Sequence, residues 1–381
     1  MTCRVLIIGG YGNFGGYIAR NLAGDSRIQL LIAGRSARKA EDFVAGLKAA
    51  NVAAANVAVA NPAEAHALDI DVDLPAGLRR LAPDVVIHTS GPFQSQDYHV
   101  AQACIAQGCH YADLADARDF VANIGQLDAQ ARANDVLVVG GASSVPCLTA
   151  AVIDDELPAF ARLDSVDYGI TTAQQTNRGL ATTAAVLSYI GKPLRVLRDG
   201  KMTTVHGWED THAETYPQLG SRLFGNCDIP DLALFPQRYP SLKSMRFAAG
   251  HELKVLHYGT RLGGALVRLG LIGSLDKYAD TLLRIAFLFN RFGSGCSGFH
   301  MILDGIGHDG APLRRRFMIV ARAGHGAYIP CIPAILLARR WSGNEIPQRG
   351  AQPCVDLIDL DSYLNALVGL DIQIIREPTH A

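Results

Sequence analysis

"VLIIGGYGNFGGYIARNL", residues 5–22, decides how the chain begins to fold. Four apolar residues, Val5 to Ile8, run unbroken into Gly9, Gly10, Gly12, Gly15 and Gly16. A short continuous apolar run predicts a strand buried on both faces, and Gly16 to Leu22 continues as a helix. Glycine costs backbone entropy, so this density of it implies a requirement. Gly9, Gly12 and Gly15 stand G-x-x-G-x-x-G at a strand-to-helix turn. The first permits the tight turn, the second lets backbone amides approach a pyrophosphate, and the third lets helix and strand pack closely. A helix N-terminus adds unpaired N–H groups and partial positive charge. The stretch reads as a dinucleotide cradle formed by Gly9, Gly10, Gly12, Asn13, Phe14 and Gly15.

Outward from the cradle, strand and helix patterns alternate. Strands are predicted at 28–33, 65–70, 84–89, 111–114 and 136–139, and helices at 36–50, 74–81, 98–107 and 127–134. An Ala/Asn-rich stretch near 51–60 receives no assignment. Such alternation argues a parallel sheet covered on both faces. After about Leu163 the pattern changes to strands without regular helical partners. Residues 164–171 and 195–205 are predicted strands, and 301–306 with 316–321 a hairpin around "GHDG". A proline-rich loop is expected at 217–240, an apolar helical region at 262–289, a helix in "IPCIPAILLARRWSG", and a loose tail at "REPTHA". The expected fold class is α/β: an N-terminal Rossmann-type domain over 1–155, then a second α/β domain with a mixed sheet over 156–381. The C-terminal helices are candidates to pack back on the first domain.

The end of the second strand selects the nucleotide. An acid there would bind the ribose 2′-OH of NAD, and an arginine the 2′-phosphate of NADP. The chain reads "LLIAGRSARKAED", placing Arg35 and Ser36 there, with no acid before Glu41. NADP(H) is expected in preference to NAD(H).

The later strand ends are polar, where a doubly wound sheet binds ligands. In "HTSGPF", Ser90 and Gly91 let a ribose approach the backbone, Pro92 stiffens the turn and Phe93 is placed to wall the nicotinamide. In "DLADARDF", Asp113 and Asp116 are acid–base candidates, Asp116 the better one. Tyr98 and His99 are further candidate proton donors, with His88 also open. In "GGASSVPC", Ser143 and Ser144 are candidate cofactor contacts, with Ser144 equally suited to cap a helix. Cys147 follows, reactive if it lies in a helix first turn and inert if buried. In "TNRG", Arg178 either binds an acidic substrate group or faces solvent.

Other classes are excluded by composition. Lys plus Arg number 35 against 36 Asp plus Glu, a net charge of −1, so no basic surplus drives nucleic-acid binding. Eight scattered cysteines form no C-x-x-C pair, and no histidine spacing suggests a metal site. Reduced thiols and a cytoplasmic location are expected. No apolar run reaches spanning length; residues 262–289, interrupted by Arg268, Asp276, Lys277, Asp280 and Arg284, are expected either to contact lipid or line an acyl tunnel, or to form a buried helical pair or subunit interface.

"VLIIGGYGNFGGYIAR", "IAGRS", "HTSGPFQSQDYHVAQACIAQGCHYADLAD" and "GGASSVP" together resemble the saccharopine dehydrogenase-like oxidoreductases. "IPAILLARR" and "GAQPCVDLIDLDSYL" resemble that family's C-terminal segment, while Cys147 departs from its usual "GASSVPG". The resemblance implies an NAD(P)-binding Rossmann domain joined to an α/β domain on a mixed sheet. The expected activity is hydride transfer to or from a C=N, C=C or C=O bond of a small-molecule or lipid-like substrate, by a homo-oligomer. The alternatives are an enoyl reductase at a membrane surface and a non-catalytic NADP-binding sensor.

Overall fold

In the computed structural model, which describes residues 2–55, 61–176 and 178–380, the opening run is strand β1 (Cys3–Ile8), with Val5 to Ile8 almost wholly buried. There follow α1 (Asn13–Leu22), β2 (Ile28–Gly34), α2 (Ala37–Ala55), β3 (Glu64–Ala67), α3 (Leu74–Leu81), β4 (Val85–His88), α4 (His99–Ala106) and β5 (His110–Asp113). Next come α5 (Arg118–Ala122), α6 (Asp128–Ala133), β6 (Leu137–Gly140) and α7 (Thr149–Glu156). The second half holds β7 (Phe160–Thr172), α8 (Leu180–Tyr189), β8 (Pro193–Arg198), β9 (Lys201–His206), β10 (His212–Tyr216), β11 (Gly220–Asn226), α9 (Asp231–Arg238) and β12 (Ser244–His251). It continues with α10 (Lys254–Arg268), α11 (Ala279–Leu288), β13 (Ser297–Gly307), β14 (Pro312–Ala321), α12 (Ile332–Ser342), β15 (Gly350–Pro353), α13 (Leu360–Asn365) and β16 (Ile372–His380).

The chain forms two compact units. The first comprises residues 1–116, 120–148 and 328–366, and the second comprises 117–119, 149–327 and 367–381. The first unit holds a parallel sheet of order β15-β6-β5-β4-β1-β2-β3. Helices cover both faces of such a sheet, which is why β1, β4 and β6 read as unbroken apolar runs. The strand order reverses between β1 and β4, and a crevice at the carboxyl ends of strands opens at such a switch point. One core cluster packs Leu6 and Ile8 of β1 against Leu78 of α3, Ile105 of α4 and Tyr111 of β5.

The second unit holds a mixed sheet of order β10-β11-β12-β7-β13-β14-β16 and the two-stranded β8-β9. Among the described strands of this sheet, β12 and β7 pair in parallel and the other neighbours pair antiparallel. The hairpin of β13 and β14 turns at Gly307–Gly310, where "GHDG" predicts it.

Several expectations need correction. Residues 217–240 contain β11 and α9 rather than a loop. The strand expected at 195–205 is a hairpin, because Asp199 (φ 48°) and Gly200 (φ 74°) form a left-handed turn that fits strand twist. "REPTHA" lies largely in β16, whose backbone pairs with β14, so it is a sheet edge and not a tail. Residues 56–60, in the unassigned Ala/Asn-rich stretch, and Asn177 lie outside the described residues. No helix among the described residues is long and apolar enough to cross a membrane.

Candidate active site

The cradle is built from β1, the turn after it and α1. The Gly9 and Gly10 amides donate to the Ala33 carbonyl of β2 at 2.8 and 3.1 Å, which anchors the turn to the sheet. Gly9 adopts φ +79°, and a Cβ there would stand 2.6 Å from Ser90 Oγ and 2.7 Å from Thr89 Oγ1. A Cβ on Gly15 would stand 2.4 Å from the Gly9 carbonyl oxygen. Both positions demand glycine: one for its backbone angle and contacts, the other for the approach of α1 to the turn. Helix α1 starts after Gly12, whose lack of a side chain leaves no side-chain cap, and its first turn holds no acid. The helix therefore directs its positive end outward without an internal counter-charge. Buried Gly15, Gly16, Ile18, Ala19 and Leu22 seat its inner face.

At the end of β2, Tyr11 closes over Gly34, where a Cβ would lie 2.6 Å from the ring, and its hydroxyl accepts the Ser36 amide at 3.1 Å. Arg35 is exposed beside this turn. The Ser36 hydroxyl accepts the Lys39 amide at 3.3 Å, so it caps α2, a role the sequence reading did not give it. The first turn of α2 holds no acid, which suits a neighbouring phosphate.

A turn that a side chain would fill, a helix start without a side-chain cap and a nearby guanidinium are features that could hold a diphosphate. Residues 5–139 match the family model described as the saccharopine dehydrogenase NADP binding domain. By that match, residues 5–139 of the first unit are similar to an NADP-binding domain of this kind. Among solved structures, the chain is similar to apo saccharopine dehydrogenase (L-Glu forming) from Saccharomyces cerevisiae, at 13% identity and TM-score 0.69, over 98% of this chain and 100% of that one. It is more distantly similar to an amine dehydrogenase from Mycobacterium smegmatis, at 10% identity and TM-score 0.43, over 93% and 95% of the two chains. A biliverdin reductase from Synechocystis, in complex with biliverdin and NADP+, gives 14% identity and TM-score 0.41 over 96% and 95%. Likeness at these identities is one of fold. No curated protein matches the chain.

In the first unit, the loop after β4 is braced from below. Thr89 Oγ1 donates to the Ile8 carbonyl at 2.9 Å, and Gln96 Nε2 donates to the carbonyls of Ser90 (2.7 Å) and Pro92 (3.1 Å). Ser90 and Gly91 remain half-exposed. Phe93 is turned inward instead: its ring meets His88 edge-on at 5.1 Å and Phe120 at 5.4 Å, and it is buried. Its ring packs under the loop against His88 and Phe120. His88 is fully buried with Nδ1 3.2 Å from the Tyr111 hydroxyl. Burial drives its pKa down to about 3, so the imidazole is neutral.

Two carboxyls stand at and beyond the end of β5. Asp113 is fully buried; its Oδ1 accepts the Gly141 amide at 2.7 Å and the Ala115 amide at 2.9 Å, which ties β5 to the turn after β6. Burial pushes its pKa up to about 6 against those two amides. Asp116 is half-exposed, and its Oδ1 accepts from Gln94 Nε2 at 3.0 Å. Partial burial also raises its pKa.

The other candidate proton donors are engaged elsewhere. The Tyr98 hydroxyl donates to the Phe120 carbonyl at 2.6 Å, with its ring packed on Phe120. His99 opens α4 with its ring on the Asp97 carboxylate, which also accepts the His99 amide at 3.0 Å. Both side chains hold local structure.

Ser143 and Ser144 are buried. The Ser144 hydroxyl bonds to Tyr363, whose own hydroxyl donates to the Ile329 carbonyl at 2.7 Å. Ser144 thus joins the segment after β6 to α13. Cys147 is buried in the turn before α7, with its thiol hydrogen-bonded to that of Cys354, a pairing that raises the Cys354 pKa. Of "TNRG" in the second unit, Arg178 turns inward, with Nη2 on Gln174 Oε1 at 3.0 Å and Nη1 3.4 Å from His251 Nδ1. Tyr11, Thr89, Gln94, Gln96 and Tyr363 escaped the sequence reading. Tyr11 and Thr89 lie inside motifs already singled out, so only their pairing was hidden.

Proposed function

We infer that the chain is an NADP(H)-dependent oxidoreductase that moves a hydride to or from a C=N, C=C or C=O bond of a small metabolite. The observation that carries this reading is the cradle at Gly9 and Gly15, which any side chain would fill, facing the uncapped start of α1. The NADP-binding domain match supports it. The amides of the Gly9–Asn13 turn would hold the pyrophosphate, Arg35 the 2′-phosphate, and the half-exposed Ser90–Gly91 backbone the ribose. Bound NADPH supplies the hydride from its nicotinamide ring. The chain must orient that ring and handle a proton.

Asp116 is the group proposed for proton handling. It is the half-exposed carboxyl at this strand end, Gln94 orients it, and burial favours its protonated form. Asp113 is enclosed and bonded to two amides, which suits a positioning residue that fixes the β5 and β6 ends. The test uses NADPH deuterated at the reactive ring carbon with a panel of imines, enones and ketones, read by mass spectrometry. Deuterium is expected in one product class. Asp116→Asn should lower kcat by about 10²–10⁴-fold with NADPH affinity unchanged, the usual worth of a positioned general acid. Tight NADPH binding with no deuterium transferred to any class would sink the catalytic reading.

A further inference from the structure

The second unit carries two helical stripes of exposed apolar residues. On α10, Val255, Tyr258, Leu262 and Leu269 are 53–72% exposed. Their spacing of three, four and seven residues places them on one helix face. The opposite face is the one the fold uses, through buried His257 and Gly264 and through Val267. Around α11 the pattern recurs: Tyr278, Ile285, Leu288 and Phe292 are 45–73% exposed, at spacings of seven, three and four. Ala279 and Leu282 on its inner side pack into the same core cluster as Val267. Both helices are therefore apolar inside and out, and their inner faces share one core. Ten of the fourteen large hydrophobic residues exposed among the described residues fall between 255 and 292, a concentration that scattered surface leucines do not produce.

Charge identifies what covers them. Residues 254–292 contain six Lys and Arg against Asp276 and Asp280, a net +4, so the rest of the chain carries −5. Lys254, Arg261, Lys277 and Arg291 are exposed along the stripes. A two-fold contact between copies would set this positive face against itself. An anionic lipid surface matches both features: its acyl boundary takes the leucines and phenylalanines, and its headgroups take the basic ends. Tyr258 and Tyr278 supply the amphipathic rings favoured at such a boundary.

We propose that the α10 and α11 face docks the protein on anionic membrane surfaces, lying in the headgroup boundary without spanning it. The inference is independent of the NADP(H) reading, since it needs no nucleotide. The test is flotation of the full chain with vesicles of phosphatidylcholine alone or mixed with phosphatidylglycerol, at low and high salt. Binding is expected with the anionic vesicles and should fall with salt. Leu262→Ser with Leu288→Ser should weaken it tenfold or more, given roughly what burying a leucine side chain contributes. Arg261→Gln with Arg291→Gln should flatten its salt dependence. Unchanged melting and NADPH binding would show that these surface variants fold. No flotation with either vesicle overturns the proposal, as does equal binding to both. A wild-type dimer that the leucine variant makes monomeric, without vesicle binding, assigns the face to a second copy and overturns it too.

Discussion

At Gly15 a single methyl group would crowd the turn proposed to hold the nucleotide. The Cβ of an alanine would lie 2.4 Å from the Gly9 carbonyl oxygen, so α1 or the turn must move. Gly15→Ala should lose NADPH binding and lower the melting temperature, while Gly46→Ala, on an open surface of α2, should be neutral or stabilising by about 0.5–1 kcal/mol. Comparing the two melting curves separates local crowding from a general effect of removing glycine. Asp113 gives a pH prediction. Its pKa rises from 3.8 to about 6 on folding, so the folded state binds the proton more tightly. The resulting stabilisation is complete below the unfolded pKa and is lost as pH rises from about 4 through 6, on the order of 3 kcal/mol in all. Asp113→Asn should flatten the stability profile across that window in denaturant titrations; an unchanged profile would contradict the assignment. The tight turn at Gly9 and Gly15 was legible in the sequence because it depends on glycine spacing alone. The tasks of Tyr98, Ser144 and Phe93 were not, because each is set by a partner farther along the chain: Phe120 for Tyr98 and Phe93, and Tyr363 for Ser144.

Among the elements, buried strands announced themselves and edge strands did not. Strands β1, β4 and β6 are continuous apolar runs because a parallel sheet hides both faces. Strand β15 has only four residues, "GAQP", and joins β6 through pairing that no local pattern encodes. The Gly350 φ of +117° and the bond from the Ala351 amide to Asp128 Oδ1 at 3.0 Å hold it there. In the second unit, β7 lies inside its sheet and pairs on both sides, while β16 pairs only with β14. Hydrogen exchange should therefore be slowest in β7 and β1 and markedly faster in β16 and β3. Comparable protection in β16 and β7 would point to something covering that edge. Helix α12 was legible from Pro333 in its first turn and Gly343 just beyond it, the usual punctuation of a helix.

For the molecule as a whole, the strand and helix alternation of the first 155 residues implied a doubly wound sheet, and the structure has it in the order that places β1 beside β4. The return of residues 328–366 to that unit is set by tertiary packing, such as the Tyr17–Tyr328 stack with centroids 3.9 Å apart. The glycine cradle and Arg35 together make the decisive claim: this fold binds a dinucleotide and prefers the phosphorylated one. A ligand that binds only the folded state at about 100 times its Kd adds about 2.7 kcal/mol of stability. The most direct measurement is thermal shift of wild type and Arg35→Ala with NADPH, NADP+, NADH and NAD+. NADPH and NADP+ should raise the wild-type melting temperature more than their unphosphorylated counterparts, and Arg35→Ala should erase that difference while keeping a residual shift. Equal stabilisation of wild type by NADH and NADPH, or an Arg35→Ala variant that still prefers NADPH, would contradict the assignment.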